Sequence, residues 1–217
     1  MIQLHYHPGN ASMAPHIALE EIGAPFELAF VDRANAAHKS PAYLKLNPNG
    51  SIPVLVDRRN SSALVLYETV AILLHLADTH PGAQLLPPLG SAERAHAYKW
   101  LVWLTNTMQA TVLHYFYPDR MADDAAAAAQ VKAHAEAQVG AMLDQLDAQL
   151  ASHGQPWLLG AHYGIADPLA FMLCRWTRGF ARPARSLAHV GPYVERMLAR
   201  PAVQRMLASE KLAAPWV

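Results

Sequence analysis

The sequence predicts a small α/β domain followed by an all-helical domain. Three observations carry this expectation. Residues 1–80 alternate short strand and helix signals. Residues 81–90, Pro81-Gly82-Ala83-Gln84-Leu85-Leu86-Pro87-Pro88-Leu89-Gly90, hold three prolines and two glycines in ten positions, so this stretch reads as a linker. Residues 91–217 read almost entirely as helix.

Taken in order, Ile2 to Tyr6 reads as a strand that stops at the turn signal His7-Pro8-Gly9. Ser12 to Ile22 reads as a helix, with Ile17, Leu19 and Ile22 apolar, Glu20 and Glu21 polar, and Gly23 placed to end it. Phe26 to Val31 is a second strand, and His38 to Leu46 is weakly helical. Pro53–Val56 and Ala63–Tyr67 are strands joined by the polar turn Asp57-Arg58-Arg59-Asn60. Glu68 to Asp78 carries Val70, Leu73, Leu74 and Ala77 on one side of a helix. The order β-α-β-α-β-β-α predicts a mixed sheet layered with helices.

In the second half, Ser91 is a natural cap for a long helix from Ala92 to Tyr117, which Pro118 stops. A second long helix, from Asp123 to Ser152, opens on two acids and closes at His153-Gly154. A buried helix runs from Ile165 to Arg178, and two short helices flank Pro201.

Composition excludes several functions. The 217 residues carry 17 basic and 17 acidic side chains, a formal charge of zero, so neither nucleic acid nor an anionic membrane surface is an expected partner. No apolar run approaches the ~20 residues of a membrane span. Met1 to His5 shows no basic stretch leading into a long apolar run, so no signal peptide is expected. The single cysteine, Cys174, allows no internal disulfide and suits a cytoplasmic, reducing environment. It lies among Met172, Leu173 and Trp176 and reads as a small buried hydrophobe. His5, His7 and His16 lack the placement that a metal site requires, so no metal is expected.

Two stretches point to chemistry. Asn47-Pro48-Asn49-Gly50-Ser51-Ile52-Pro53-Val54-Leu55 is a turn that delivers an apolar residue and a proline to the start of a strand. With a cis Ile52–Pro53 bond, the Ile52 N–H and C=O turn outward and can pair with an extended peptide; the alternative is an ordinary trans proline opening an edge strand. At Tyr67-Glu68-Thr69 a strand gives way to a helix. The helix N-terminus at Thr69 can hold a carboxylate and Glu68 an ammonium, the two charges of an amino-acid end; the alternative is a plain helix cap.

Together these motifs resemble the glutathione site of the glutathione S-transferase superfamily. The resemblance extends over the whole chain, including Gly164-Ile165-Ala166-Asp167, which looks like that family's helix-capping box. Pro8 to Glu21 is most similar to the bacterial beta class. The resemblance implies a thioredoxin-like N-terminal domain (1–80), a linker (81–90) and an all-α C-terminal domain (91–217) with an electrophile pocket.

It further implies that glutathione is the co-substrate, with a cis Pro53, the Ile52 backbone holding the cysteinyl residue, and Glu68 with Thr69 holding the γ-glutamyl end. His38 falls where related classes place a histidine at the glycine carboxylate, with Lys39 as the alternative. Where the beta class has a loop cysteine and a helix histidine, this chain has Ala11 and Gln109. Thiol activation then falls to Ser12 first and Asn10 second, with helix capping as the other role for Ser12. Tyr115, Phe116, Tyr117 and Met108 are candidates for the wall around a small hydrophobic electrophile. The capping box lacks its usual Ser/Thr, which is Gly164 here. The implied activity is conjugation of the glutathione thiolate to hydrophobic electrophiles by a homodimer. A glutathione-dependent peroxidase or reductase and a non-catalytic binding module on the same fold are the alternatives.

Overall fold

A computed structural model describes residues 1–59 and 61–217. Asn60, the last residue of the expected polar turn, lies outside the described residues. The chain forms two compact units, Met1–Leu86 with Ala199–Ala213, and Pro87–Leu198 with Ala214–Val217.

The first unit is built on a four-stranded sheet. Its strands are β1 (Ile2–Tyr6), β2 (Phe26–Phe30), β3 (Val54–Asp57) and β4 (Leu64–Tyr67), in the spatial order β2-β1-β3-β4. β1 and β2 run parallel, which requires a crossover between them, and α1 (Met13–Ile22) supplies it. β3 is antiparallel to both β1 and β4. Alternation along the strands sends Leu4 and Leu55, partners in register, to one face of the sheet. Ile17 and Leu19 of α1 and Ile72, Leu73 and Leu76 of α3 (Thr69–Thr79) are fully buried too, and α1 packs on β1 and on α3. Val54 and Val56 point to the other face and pack with Val31, Tyr43, Leu46 and Ile52. Tyr43 belongs to the short helix α2 (Pro41–Leu44), which Ser40 caps.

The last helix of the chain also belongs to this unit. α9 (Pro201–Ser209) packs on α1. Arg200 donates to both carboxylate oxygens of Glu21 at 2.6 and 2.8 Å, near the end of α1. Glu210 lies beside His16 and Gly9, near its start. The two helices therefore run antiparallel.

The second unit is helical. α4 (Ala92–Trp103) passes through a wider π-turn, Leu104–Gln109, into α5 (Ala110–Phe116), where the sequence predicted one regular helix. α6 (Ala125–His153) is capped by Asp124, and α7 (Ala166–Trp176) is buried throughout. α8 (Val190–Leu198) completes the unit. Ile165, rather than Gly164, is the residue just before α7, and Asp167 performs half of the expected capping box. Its carboxylate accepts from the N–H of Gly164 at 2.8 Å and of Leu158 at 2.9 Å, and from the Tyr193 hydroxyl at 3.1 Å. Among the described residues, no helix is long and apolar enough to cross a membrane.

One polar knot ties the β3–β4 hairpin to α3. Asp57, nearly buried, accepts from Arg59 Nη2 at 2.6 Å and from His75 Nε2 at 3.0 Å. The Arg59 hydrogen bonds, with help from His75, outweigh the cost of burial and hold the Asp57 carboxyl well below the usual carboxylate range. A depressed folded pKa contributes stability that is complete above the unfolded value of ~3.9 and fades as pH falls below it. Asp57→Asn is therefore expected to lower stability at pH 7 and to flatten its decline between about pH 4 and pH 2. Urea unfolding across that range measures both; a variant whose acid limb parallels wild type would contradict the assignment.

Candidate functional site

The register of the sheet assembles the site. His5 of β1 pairs with Val54 of β3, and Val54 pairs with Tyr67 of β4, in one row across three strands. The chain leaves β1 one residue beyond this row, enters β3 at Pro53 just before it, and leaves β4 at Glu68 just after it. The loop 7–12, the Ile52–Pro53 step and the Glu68–Thr69 step thus share one edge of the sheet. Two strand spacings make this edge ~10 Å wide. A three-residue extended peptide spans about the same length.

The middle of the edge is Ile52. The Ile52–Pro53 bond is cis, as expected. Neither the N–H nor the C=O of Ile52 is hydrogen-bonded among the described residues. The preceding loop is fixed from within. Buried Asn47 donates from Nδ2 to the Ser51 carbonyl at 2.8 Å and accepts the Asn49 N–H at 3.0 Å. The Tyr43 hydroxyl donates to the same Ser51 carbonyl at 3.0 Å, and burial pushes its pKa up to about 12. Gly50 has φ +57°, and a Cβ there would lie 2.8 Å from the His38 carbonyl oxygen and 2.7 Å from Lys39 Nζ. Only glycine lets the loop pass so close to His38 and Lys39.

His38 and Lys39 are therefore neighbours of the Ile52 loop. Lys39 donates to the Asn49 carbonyl at 3.1 Å. Burial first, and then the positive charges of Arg33, Lys39 and His7, push the His38 pKa down. A neutral His38 offers a hydrogen bond rather than a charge, and Lys39 supplies the charge. His38 Nδ1 is buried without a partner among the described residues.

One side of the edge is the start of α3. Glu68 sits at φ 72°, ψ 118°, a conformation that L-residues rarely adopt and that costs on the order of 1–3 kcal/mol. Its exposed carboxylate has no partner among the described residues. Buried Thr69 opens the helix, and the first N–H groups of α3 make a ready anion site.

The other side is the loop 7–12 and the start of α1. Ser12 stands inside this loop. Its side chain is fully buried, its hydroxyl donates to the His7 carbonyl at 3.2 Å, and it accepts the His7 N–H at 3.3 Å. It makes no capping bond to α1. The hydroxyl is engaged by backbone on both counts and is not turned outward. Asn10 is partly exposed, and its side-chain amide has no partner among the described residues. The N–H groups of Ala11 and Ser12 are likewise unbonded among the described residues.

Elsewhere the remaining candidates separate. Met108 is fully buried on the inner face of the π-turn and is core rather than wall. Tyr115 packs on Phe180 with ring centres 4.3 Å apart, and Phe116 remains exposed beside Trp176. Cys174 is buried, which pushes its thiol up to about 12 and keeps it protonated. No cluster of metal-ligating side chains occurs among the described residues. The sequence reading missed Tyr43 as a brace of the Ile52 loop and Glu210 as a partner of the loop 7–12. Tyr43 lies eight residues from Ser51 and was within reach of local reasoning; Glu210 is 201 residues from Gly9, and no local pattern announces it.

A mixed four-stranded sheet with a cis-proline loop on its edge defines a thioredoxin-like domain, here accompanied by a helical unit. The family model "Glutathione S-transferase, N-terminal domain" matches residues 2–78, and "Glutathione S-transferase, C-terminal domain" matches residues 108–210. Glutathione S-transferase GstA of Escherichia coli O157:H7 is 31% identical over 212 residues, 97% of this chain and 100% of its own. A glutathione transferase homolog from Sulfitobacter, solved with bound glutathione, superposes with a TM-score of 0.88 at 28% identity, covering 98% of this chain and 99% of its own. A sphingomonad glutathione S-transferase complexed with glutathione gives 0.82 at 32% identity, covering 97% and 100%. The chain belongs to the glutathione S-transferase family.

The geometry of Ser12 generates a direct expectation. Ser12→Ala removes a buried hydroxyl and leaves the His7 N–H and C=O without that partner, which costs ~1–3 kcal/mol of stability. It is not expected to alter the ionisation of a bound thiol. Urea unfolding and a pH titration of the bound thiolate band measure the two separately. A raised thiol pKa with unchanged stability would assign Ser12 to thiol activation instead.

Proposed function

We propose that this protein is a glutathione S-transferase that joins the glutathione thiolate to hydrophobic electrophiles. The observation that carries this is the shared sheet edge, where an unpaired peptide backbone, an unpartnered carboxylate beside a helix N-terminus, and a second helix N-terminus stand in line. Each answers one part of glutathione. Glu68 takes the ammonium and the α3 N-terminus at Thr69 takes the carboxylate of the γ-glutamyl end. The Ile52 N–H and C=O pair with the cysteinyl backbone as an added strand would. Lys39, with neutral His38 as a donor, takes the glycine carboxylate.

The cysteinyl sulfur then falls to the start of α1. A free thiol ionises near ~8.5, and lowering this by ~2 units requires about 2.7 kcal/mol of preference for the anion. The α1 N-terminus acts as about half a positive charge. Asn10 Nδ2 and the Ala11 and Ser12 N–H groups add hydrogen bonds to an anion, which are stronger than neutral ones. In the reaction the thiolate lone pair forms a C–S bond to the electrophilic carbon, and the leaving group departs with its bonding electrons. Such conjugation disposes of reactive electrophiles, a detoxifying role.

The protein acts as a homodimer. Leu64, Val65 and Tyr67 on the edge strand β4, and Tyr98 and Val102 on α4, are exposed apolar side chains that a second copy would cover. A thiol co-substrate suits a reducing compartment, which supports a cytoplasmic location.

The test combines turnover with binding. Wild type is expected to conjugate an aryl halide faster than it reduces an organic hydroperoxide. Glu68→Ala is expected to weaken glutathione about tenfold or more, because a hydrogen bond to a charged group is worth ~1.5–3 kcal/mol. Lys39→Ala, at an exposed position, is expected to weaken it less. Calorimetric titration and parallel assays decide. Glutathione binding without turnover of either substrate would leave a binding module, and faster hydroperoxide reduction would leave a peroxidase.

A further inference from the structure

The loop 7–12 is held from a distance by a carboxylate that the reaction itself does not use. Glu210 follows the last turn of α9 and is almost wholly buried, as is His16. Its Oε2 accepts the Gly9 N–H at 2.8 Å, and its Oε1 accepts from His16 Nδ1 at 2.9 Å. Gly9 is the residue just before Asn10, and it sits at φ +72°. His16 lies in the first turns of α1 and is packed by the rings of Tyr6 and Phe26, with Glu20 3.9 Å from its other nitrogen. One carboxylate thus grips both ends of the short segment that carries Asn10, Ala11 and Ser12. Arg200 on Glu21 and Arg205 on Glu20, at 2.6 and 2.5 Å, keep α9 aligned along α1 so that Glu210 arrives in place.

We propose that Glu210 is a positioning residue for thiol activation: through Gly9 and His16 it fixes the loop whose Asn10 amide and free N–H groups face the glutathione sulfur. This rests on the transferase reading above. The charge of Glu210 cannot be its contribution, because a nearby carboxylate disfavours a thiolate. Its contribution is geometric. It serves a backbone N–H of the loop and a buried imidazole together, and without it both lose that bond. The two effects have opposite signs, which makes them separable. Removing charge alone lowers the thiol pKa in every neutral variant, whereas losing the grip raises it only where the hydrogen bonds are lost.

The experiment uses full-length Glu210→Ala and Glu210→Gln. Glutamine keeps both contacts, its carbonyl accepting from Gly9 and its amide donating to His16 in the other tautomer. Glutathione affinity is measured by calorimetry, the bound thiol pKa by its ultraviolet thiolate band, and kcat and KM with an aryl halide. Glu210→Ala is expected to keep glutathione affinity within about threefold, raise the thiol pKa by about one unit and lower kcat at pH 6.5 about tenfold. Glu210→Gln is expected to restore most of that loss. If Glu210→Ala does not fold, Glu210→Asp, which keeps the charge but shortens the reach, is expected to shift the thiol pKa in the same direction. A wild-type thiol pKa and kcat in the alanine variant, or in the aspartate variant where alanine does not fold, would overturn the proposal and leave Glu210 a purely structural anchor. A lowered pKa in both neutral variants would also overturn it. A wild-type enzyme that binds glutathione with no thiolate band would overturn the transferase reading itself, and this proposal with it.

Discussion

The antiparallel pairing of β3 with both β1 and β4 is the constraint on which the site depends. It sets His5, Val54 and Tyr67 in one row, so that the end of one strand, the start of a second and the end of a third meet at one edge. Side chains alternate with a period of two, so a one-residue slip of β3 would send Leu55 away from α1 and α3 and bring Val54 and Val56 in. The same slip would carry Ile52 out of line with Glu68 and the loop 7–12. Burial of Leu4, Leu55, Ile17 and Leu73 therefore secures the register, and the register secures the site.

Around that frame, polar contacts fix what packing leaves loose. Asn47 and Tyr43 converge on a single carbonyl, that of Ser51, one residue before Ile52. Glu68 is held in a conformation that an acidic residue would not choose, and the strand on one side and the helix on the other over-determine it. Glu210 closes the loop 7–12 from the far end of the chain. Each of the three parts of the edge thus has its own anchor.

Much of this was legible in the sequence because its signals are local. Proline and glycine mark the ends of β1, α1 and the linker, and alternation marks the short strands. The cis proline was legible only through the family resemblance, because most X–Pro bonds on their own are trans. Ser12 was left open by the sequence because a hydroxyl at a helix start can serve a ligand, a helix cap or a neighbouring loop equally well. The structure shows the third, through His7. The π-turn in the middle of residues 92–116 has no proline or glycine to announce it. The return of α9 to the first unit, and with it Glu210, depends on contacts nearly two hundred residues apart, beyond any periodicity.

The central claim is that one sheet edge receives the γ-glutamyl and cysteinyl parts of glutathione. A crystal structure of the protein soaked with glutathione tests it most directly. The account predicts the cysteinyl backbone paired with the Ile52 N–H and C=O, the ammonium on Glu68, and the sulfur within hydrogen-bond distance of the Asn10 amide or the Ala11 and Ser12 N–H groups. Glutathione bound with its ammonium away from Glu68, or with its sulfur turned away from the start of α1, would contradict it.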